Sequence, residues 1–337
     1  MLILNDIHAG VSRVAGTTPQ SSMDLSNRIL REFEKNLLTE HRDLMILGDL
    51  FNAFSVDNHT FYGVTKLLFA WLEVHKDGTL YLVNGNHDHS NDTTKKSSLE
   101  MLAGILSCWK NNVEYITEPF NGIPGYVVIP HLANQDLFDL AITRNCDKDK
   151  TLLAHCNYDN FFAVGKDHSL NLTKDQAHLF KSVIIGHEHN HRLIDNVLAL
   201  GNQFPTSIAD CKDSKTKGAF SLKTQRHNIT WESKDSYIDV DWHDLATLED
   251  IYEFVRVSGN AAINEINLAI SEISKFRRGS KAYIVANAVI NEGAVQSVEE
   301  VEAVESLDGL NILEMLYTHL TKQQVAKIEA LRAENDN

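Results

Sequence analysis

Through the first two-thirds of the chain, short runs of β-branched and apolar residues alternate with stretches whose apolar positions recur every three and four residues. Residues 2–4 read as a buried strand ending at Asp6, 25–38 as an amphipathic helix, and 43–47 as a second strand. A helix over 61–74, a strand over 79–83 and a helix over 97–106 follow, then short strands at 126–129, 151–154 and 183–185. Strands alternating with helices predict an α/β layered domain. Ligands in such folds gather at the carboxyl ends of strands.

Near residue 211 the pattern changes. Residues 219–222, 227–231 and 237–240 predict strands, 248–257 and 262–276 predict helices, and 282–290 predicts one more strand. Together they suggest a compact α+β unit attached to the first domain. Glu299, Glu300, Glu302, Glu305 and Asp308 make an acidic stretch that reads as a solvated linker. Beyond it, Leu310, Leu313, Leu316, Tyr317 and Leu320, then Val325, Ile328 and Leu331, have the spacing of two short amphipathic helices. The resulting division is 1–210, 211–292, 293–308 and 309–337.

Composition narrows the class without choosing an activity. The 337 residues are 43% hydrophobic and 23% charged, enough apolar material for a substantial core. No apolar run reaches the roughly 18 residues that span a bilayer, and the first residues lack a signal-peptide pattern. Cys108, Cys146, Cys156 and Cys211 are scattered, which fits reduced thiols in a cytoplasmic compartment. The formal charge of −15 is unusual for a protein that grips DNA unaided, because phosphate neutralisation supplies much of that affinity. Either the substrate is small or a partner supplies much of the grip.

Five short motifs sit where strands end: Asp6-Ile7-His8, Gly48-Asp49-Leu50-Phe51, Gly85-Asn86-His87-Asp88, Ala154-His155-Cys156 and Gly186-His187-Glu188-His189. In the first and last, ligand types stand two residues apart, so in extended chain both side chains would face one way. Carboxylate, imidazole and amide together suit manganese, iron or zinc better than calcium. A lone Asp-x-His means little, and a lone Gly-Asn-His-Asp could be a capped turn; five in this order are a constellation. Cys156 beside His155 also invites a thiol-nucleophile reading, but neighbouring strand residues face opposite ways.

On these motifs the chain resembles the calcineurin-like metallophosphoesterase superfamily. The resemblance implies a four-layer α/β/β/α sandwich with a small α+β cap and C-terminal helices. It implies Asp6, His8 and His189 on one divalent cation, Asn86, His155 and His187 on a second, and Asp49 bridging. Manganese is the leading choice, with magnesium, iron or zinc as alternatives. His87 would face the substrate, stabilising the transition state or protonating the leaving oxygen, and Asp88 would orient its ring.

Within the superfamily the chain resembles SbcD-type nucleases of DNA end processing, and its compact length is similar to viral versions. Asp6 to Asp49 is 43 residues and Asp49 to Asn86 is 37. The segment 198–207, followed by Lys217-Gly218-Ala219-Phe220, is similar to that family's exit from the catalytic domain. The resemblance implies a DNA exonuclease with endonuclease activity, partnered with an SbcC-like coiled-coil ATPase in the cytoplasm (the host's, if viral). It also implies a homodimer through helices 61–74 and 97–107, although a monomeric core would account for their apolar faces too. Asn52 stands where the family often has His or Asp, and Asn202 where serine is expected. Lys95, Lys96, Lys217, Arg277 and Arg278 are candidate DNA contacts, with ordinary solvated cations as the alternative. His168 could approach substrate, and His89 and His191 belong to an outer shell. A small-molecule nucleotide phosphodiesterase or phosphatase is the competing function, and the acidic charge suits it.

Overall fold

A computed structural model describes residues 1–11, 19–38, 41–90, 92, 94–159, 169–204, 206, 217–228, 237–249, 254–261, 264–280 and 283–286. In chain order its elements are β1 (Leu2–Leu4), α1 (Pro19–Leu37), β2 (Leu44–Leu47), α2 (Asn58–Val74) and β3 (Leu80–Val83). There follow a 3-10 turn (Asn86–Asp88), α3 (Ser98–Trp109), β4 (Val113–Ile116), β5 (Tyr126–Ile129), α4 (Gln135–Asn145) and β6 (Thr151–His155). Next come β7 (Asn157–Tyr158), β8 (Asn171–Leu172), α5 (Lys174–Ala177), β9 (Ser182–Gly186), β10 (Arg192–Ile194) and β11 (Val197–Ala199). The described elements close with β12 (Ala219–Ser221), β13 (Arg226–Asn228), β14 (Tyr237–Asp241), a 3-10 turn (Trp242–Thr247), β15 (Phe254–Ser258), α6 (Ile266–Gly279) and β16 (Tyr283–Ala286). One unit comprises Met1–Gly259 and Ile270–Ala288. The other comprises Asn260–Ala269 and Val289–Asn337; 260–261 and 264–269 are its described part, and α6 begins there.

The first unit is built on two mostly parallel sheets, ordered β13-β12-β1-β2-β3-β4 and β10-β11-β9-β6-β5. Period-two alternation divides each strand's apolar residues between two interfaces. Leu2, Leu4, Leu44, Ile46, Leu80 and Leu82 pack with Phe33 of α1, Leu68 of α2 and Leu102 of α3. The alternate residues Ile3, Met45, Leu47 and Val83 meet Val128, Leu153 and Ile184 of the other sheet. That sheet's outer face, including Val127, Leu152 and Val183, packs with Phe138 and Ile142 of α4. Three core layers between helix, sheet, sheet and helix make an α/β/β/α sandwich, as the motifs implied. Each such aliphatic side chain contributes roughly 1.5–3 kcal/mol on burial.

Helix starts are fixed locally. Asp57 accepts from the N–H groups of His59 and Thr60 at the start of α2. Ser97 accepts from Glu100 N–H in α3, and Asn134 from Leu137 N–H in α4.

Three expectations change. The segment 219–228, grouped with the cap by sequence, belongs to the first sheet, where β12 pairs antiparallel with β1 through Leu2 and Ser221. The helix expected over 248–257 is replaced at its end by strand β15, which pairs in parallel with β14 and β16. Val255 and Val257 are buried and alternate with half-buried Arg256 and Ser258, a strand's period rather than a helix's. Met101 and Ile105, on the apolar face that a monomeric core would have covered, are exposed on α3. The acidic linker at 293–308, the C-terminal helices at 309–337 and His168 lie outside the described residues. Among the described residues no helix is long and apolar enough to cross a membrane.

Candidate metal centre

Both sheets direct their strand ends to one place. Asp6 and His8 leave β1, Asp49 leaves β2, Asn86 and His87 leave β3, His155 ends β6, and His187 and His189 leave β9. The β1 and β2 exits are zipped together: Asp6 N–H donates to Gly48 O at 3.2 Å, and His8 N–H to Asp49 O at 3.0 Å. The chain here is not extended, contrary to the spacing argument. Asp6, His8, Asp49 and His187 have φ of 47°, 50°, 48° and 83°, in the left-handed region. Such positions cost about 1–3 kcal/mol each for non-glycine residues and persist only where the surroundings impose them. Gly48, at φ 87°, is the position where a side chain would be driven into the His155 ring.

The donor atoms form overlapping groups. Asp6, His8 and His189 make one, Asp49, His155 and His187 a second, and His8, Asp49 and His87 a third that joins them. Asn86 Oδ1 lies 3.0 Å from His155 Nε2 and 2.9 Å from His187 Nδ1. His8 Nε2 and His189 Nε2 are 3.0 Å apart. Neighbouring ligands about 2.1 Å from one ion and at right angles to each other stand about 3 Å apart. Asp6, His8, Asp49 and His155 are buried and form the floor, while Asn86, His87, His187 and His189 are half-buried and form the rim.

Each carboxylate has one oxygen committed and one presented. Asp6 Oδ2 accepts from His187 N–H at 2.8 Å and Asn5 Nδ2 at 2.7 Å, while its buried Oδ1 has no hydrogen-bond partner. Asp49 Oδ1 accepts from His87 N–H at 3.1 Å, and Oδ2 stands 3.4 Å from His155 Nε2. His155 Nδ1–H donates to Leu47 O at 2.9 Å, which leaves Nε2 as the ligand atom. A buried, unpartnered carboxylate oxygen facing imidazole nitrogens is what a divalent cation would satisfy. The side chains fit two such ions sharing Asp49.

Charges in the pocket follow the same logic. Burial lowers the basicity of His155, but the charge and hydrogen bond of Asp49, then Asp6, outweigh it and lift its pKa to about 9. Burial pushes the Asp49 carboxyl up, yet His155, His8 and His87 together hold it well below the usual carboxylate range. Burial brings His8 down to about 4 despite Asp49, so it is neutral at physiological pH.

His87 sits at the rim, its side chain 27% exposed, with Nε2 3.8 Å from Asp49 Oδ2. Its Nδ1 donates to the main-chain oxygen of Asn52 at 2.5 Å. This corrects the role given to Asp88. Asp88 Oδ2 accepts from Gly85 N–H at 3.0 Å and braces the loop, while the ring is oriented by Asn52. Because the acceptor is a main-chain carbonyl, this contact does not depend on the side chain at position 52. Burial, then the charge of Asp49, raises the Asp88 carboxyl well above its ordinary value.

Two groups whose place here sequence reasoning missed hold the His187–His189 loop. Glu188 is buried between these ligands. Its Oε2 accepts from Arg192 Nε at 2.5 Å and its Oε1 from Arg192 Nη2 at 2.6 Å. Oε1 also accepts from Tyr158 N–H at 2.8 Å, and Arg192 Nη2 donates to Tyr158 O at 2.9 Å. The loop after β9 is thereby bolted to the loop after β6. The four-residue spacing of Glu188 and Arg192 was visible in the sequence, but Tyr158, the third member, was not. Lys217 is the other group. Expected to contact DNA, it is fully buried and its Nζ donates to His189 O at 2.5 Å, so it is not available to a nucleic-acid backbone.

Lys95 is exposed and pairs with Asp92 at 3.3 Å, and exposed Lys96 pairs with Glu100. Arg277 and Arg278 lie on α6, where Arg278 is exposed. His89 packs against His131, and Asn202, buried completely, donates its N–H to His189 O at 3.2 Å. Cys156 is 1% exposed, and burial, then Glu188, pushes its thiol up, which removes the thiol-nucleophile reading. Cys108, Cys146 and Cys156 are free thiols.

No family model matches the chain, and no curated protein matches it. Among solved structures, a nuclease named MPE from Pseudomonas putida is 19% identical over 58% of this chain and 72% of its own, with a TM-score of 0.23. That likeness is too slight to bear on chemistry, which rests instead on the side chains above.

Proposed function

We propose that the chain is a two-metal phosphodiesterase acting on DNA. The observation that carries this reading is the two donor sets linked through His8 and Asp49, set at strand ends with one imidazole, His87, on the rim. Bound there, two divalent cations, manganese foremost, would acidify water and neutralise charge building on the phosphoryl oxygens. Asp6, His8 and His189 would hold one cation, and Asn86, His155 and His187 the other, with Asp49 shared. His187 N–H and Asn5 fix the Asp6 carboxylate, and Leu47 O fixes the His155 tautomer, so the ligands are set before substrate arrives. His87 faces the ester and either steadies the transition state or protonates the leaving oxygen. With Nδ1–H committed to Asn52, donation through Nε2 requires the imidazolium.

The finer reading is an SbcD-type exonuclease, with endonuclease activity, in an end-processing complex with a coiled-coil ATPase in the cytoplasm. Sequence support is the C-terminal apolar periodicity beyond an acidic stretch, together with a charge of −15 that leaves DNA grip to a partner. Homodimerisation is supported by Met101, Ile105 and Trp109, which are exposed four residues apart on α3, and by exposed Tyr62 on α2. The same acidity favours a second reading, a small-molecule nucleotide phosphodiesterase. Purified protein with manganese should degrade labelled duplex DNA. Intact DNA alongside rapid turnover of a cyclic nucleotide would reverse the order of the two.

A further inference from the structure

Beside the metal centre stand two imidazoles with no part in the roles above. His131 follows β5, the strand next to β6, and its backbone N–H donates at 2.9 Å to the carbonyl of Asn84, two residues before Asn86. The Asn84 side chain in turn accepts from Tyr115 OH at 3.2 Å, so this junction between the two sheets is held firmly. His89 follows the His87–Asp88 loop. The two rings pack edge to face, their centroids 5.7 Å apart and their planes at 61°.

One ring nitrogen is buried and open, and the neighbouring ring makes no hydrogen bond among the described residues. His89 Nε2 is buried without a hydrogen-bond partner. The half-buried His131 ring makes no hydrogen bond among the described residues. Buried polar groups are nearly always paired, and one left open beside a reaction centre is a place for a ligand. Burial first, then the charges of His155 and His89, brings the His131 pKa down to about 3 despite Asp49. His131 is therefore neutral, and its backbone bond to Asn84 O ties it to the loop that carries Asn86. A neutral imidazole offers one N–H to an anion without bringing a competing cation beside the metals.

We infer that His131 is a substrate-binding residue, donating its ring N–H to a phosphoryl oxygen on the Asn86–His155–His187 side of the centre while His89 braces the ring. The inference rests on the phosphodiesterase reading and adds a contact that the five strand-end motifs do not include.

The test uses the full chain loaded with manganese, as wild type, His131→Ala, His131→Asn and His89→Ala. Titration with inorganic phosphate is followed by calorimetry, and kcat and KM are measured on bis(p-nitrophenyl) phosphate. His131→Ala should weaken phosphate binding about tenfold or more, as loss of a hydrogen bond to a charged group does. KM should rise by a similar factor, with kcat less affected. His131→Asn, which keeps an N–H donor, should recover part of the loss, and His89→Ala should show a smaller one. Manganese affinity should stay within about twofold of wild type, because the ligands are untouched. Unchanged phosphate affinity in His131→Ala would overturn the inference, as would manganese affinity falling in step with it. A wild-type protein that binds phosphate but turns over no diester would contradict the proposed function instead. In that event a loss of phosphate binding in His131→Ala would still uphold the contact.

Discussion

Replacing Glu188 by alanine tests how the metal loops are held. The carboxylate is buried, and Arg192, whose side chain is 13% exposed, meets it through two bonds of 2.5 and 2.6 Å. Alanine strands the guanidinium and leaves Tyr158 N–H without its 2.8 Å acceptor. Breaking one side of a buried pair costs about 3–5 kcal/mol. Because Arg192 keeps its bond to Tyr158 O and some contact with water, the lower end, about 3 kcal/mol, is expected here. The second effect is on the ligands. His187 and His189 flank the lost carboxylate, and loss of a group that orients ligands typically costs 10–100-fold in metal affinity. Denaturant unfolding of the metal-free protein would read the first effect, and calorimetric titration with manganese the second. Glu188→Gln, which can still accept from Tyr158 N–H, should recover part of both. Glu188→Ala with wild-type manganese affinity would refute the idea that this clamp positions the ligands, whatever its stability.

Two further outcomes follow from the rim and the floor of the site. His87→Ala should lower kcat on a phosphodiester at least 100-fold, the scale of general acid–base catalysis, while manganese titration is unchanged; undiminished turnover would remove His87 from the chemistry. His155 makes metal binding pH-dependent, because its folded pKa of about 9 lies above the ordinary 6.5. In the metal-free protein the resulting stability is full below pH 6.5 and is lost as pH rises through 9. A metal must displace that proton, so manganese affinity should instead rise with pH, about tenfold per unit between pH 6 and 8. Titrations in buffers of different ionisation enthalpy would show the released proton, and a pH-independent affinity would contradict the assignment.

The donor positions that converge were legible because each motif is local: an apolar strand, a turn, then a donor. Their convergence follows from parallel strands ending on one edge. The means of convergence was not legible, since the left-handed backbone at Asp6, His8 and Asp49 depends on the pairing of the β1 and β2 exits. Partnerships across long sequence distances were hidden for the same reason. Neither the Tyr158 contact of Glu188 nor the burial of Lys217 against His189 leaves a local trace. The helix expected at 248–257 failed because Val255 and Val257 are buried at a strand's period of two. Strands β4 and β10, four and three residues long, and the eleven-residue α4 were passed over. Asp88 was given its neighbour's ring, although its own carboxylate turns back to Gly85 N–H.

The most direct measurement is a crystal structure soaked in manganese with anomalous scattering recorded at the metal edge. Two peaks should lie within coordination distance of Asp49, one also touching Asp6, His8 and His189, the other Asn86, His155 and His187. A single peak, or density with Asp49 remote from it, would contradict the shared two-cation centre.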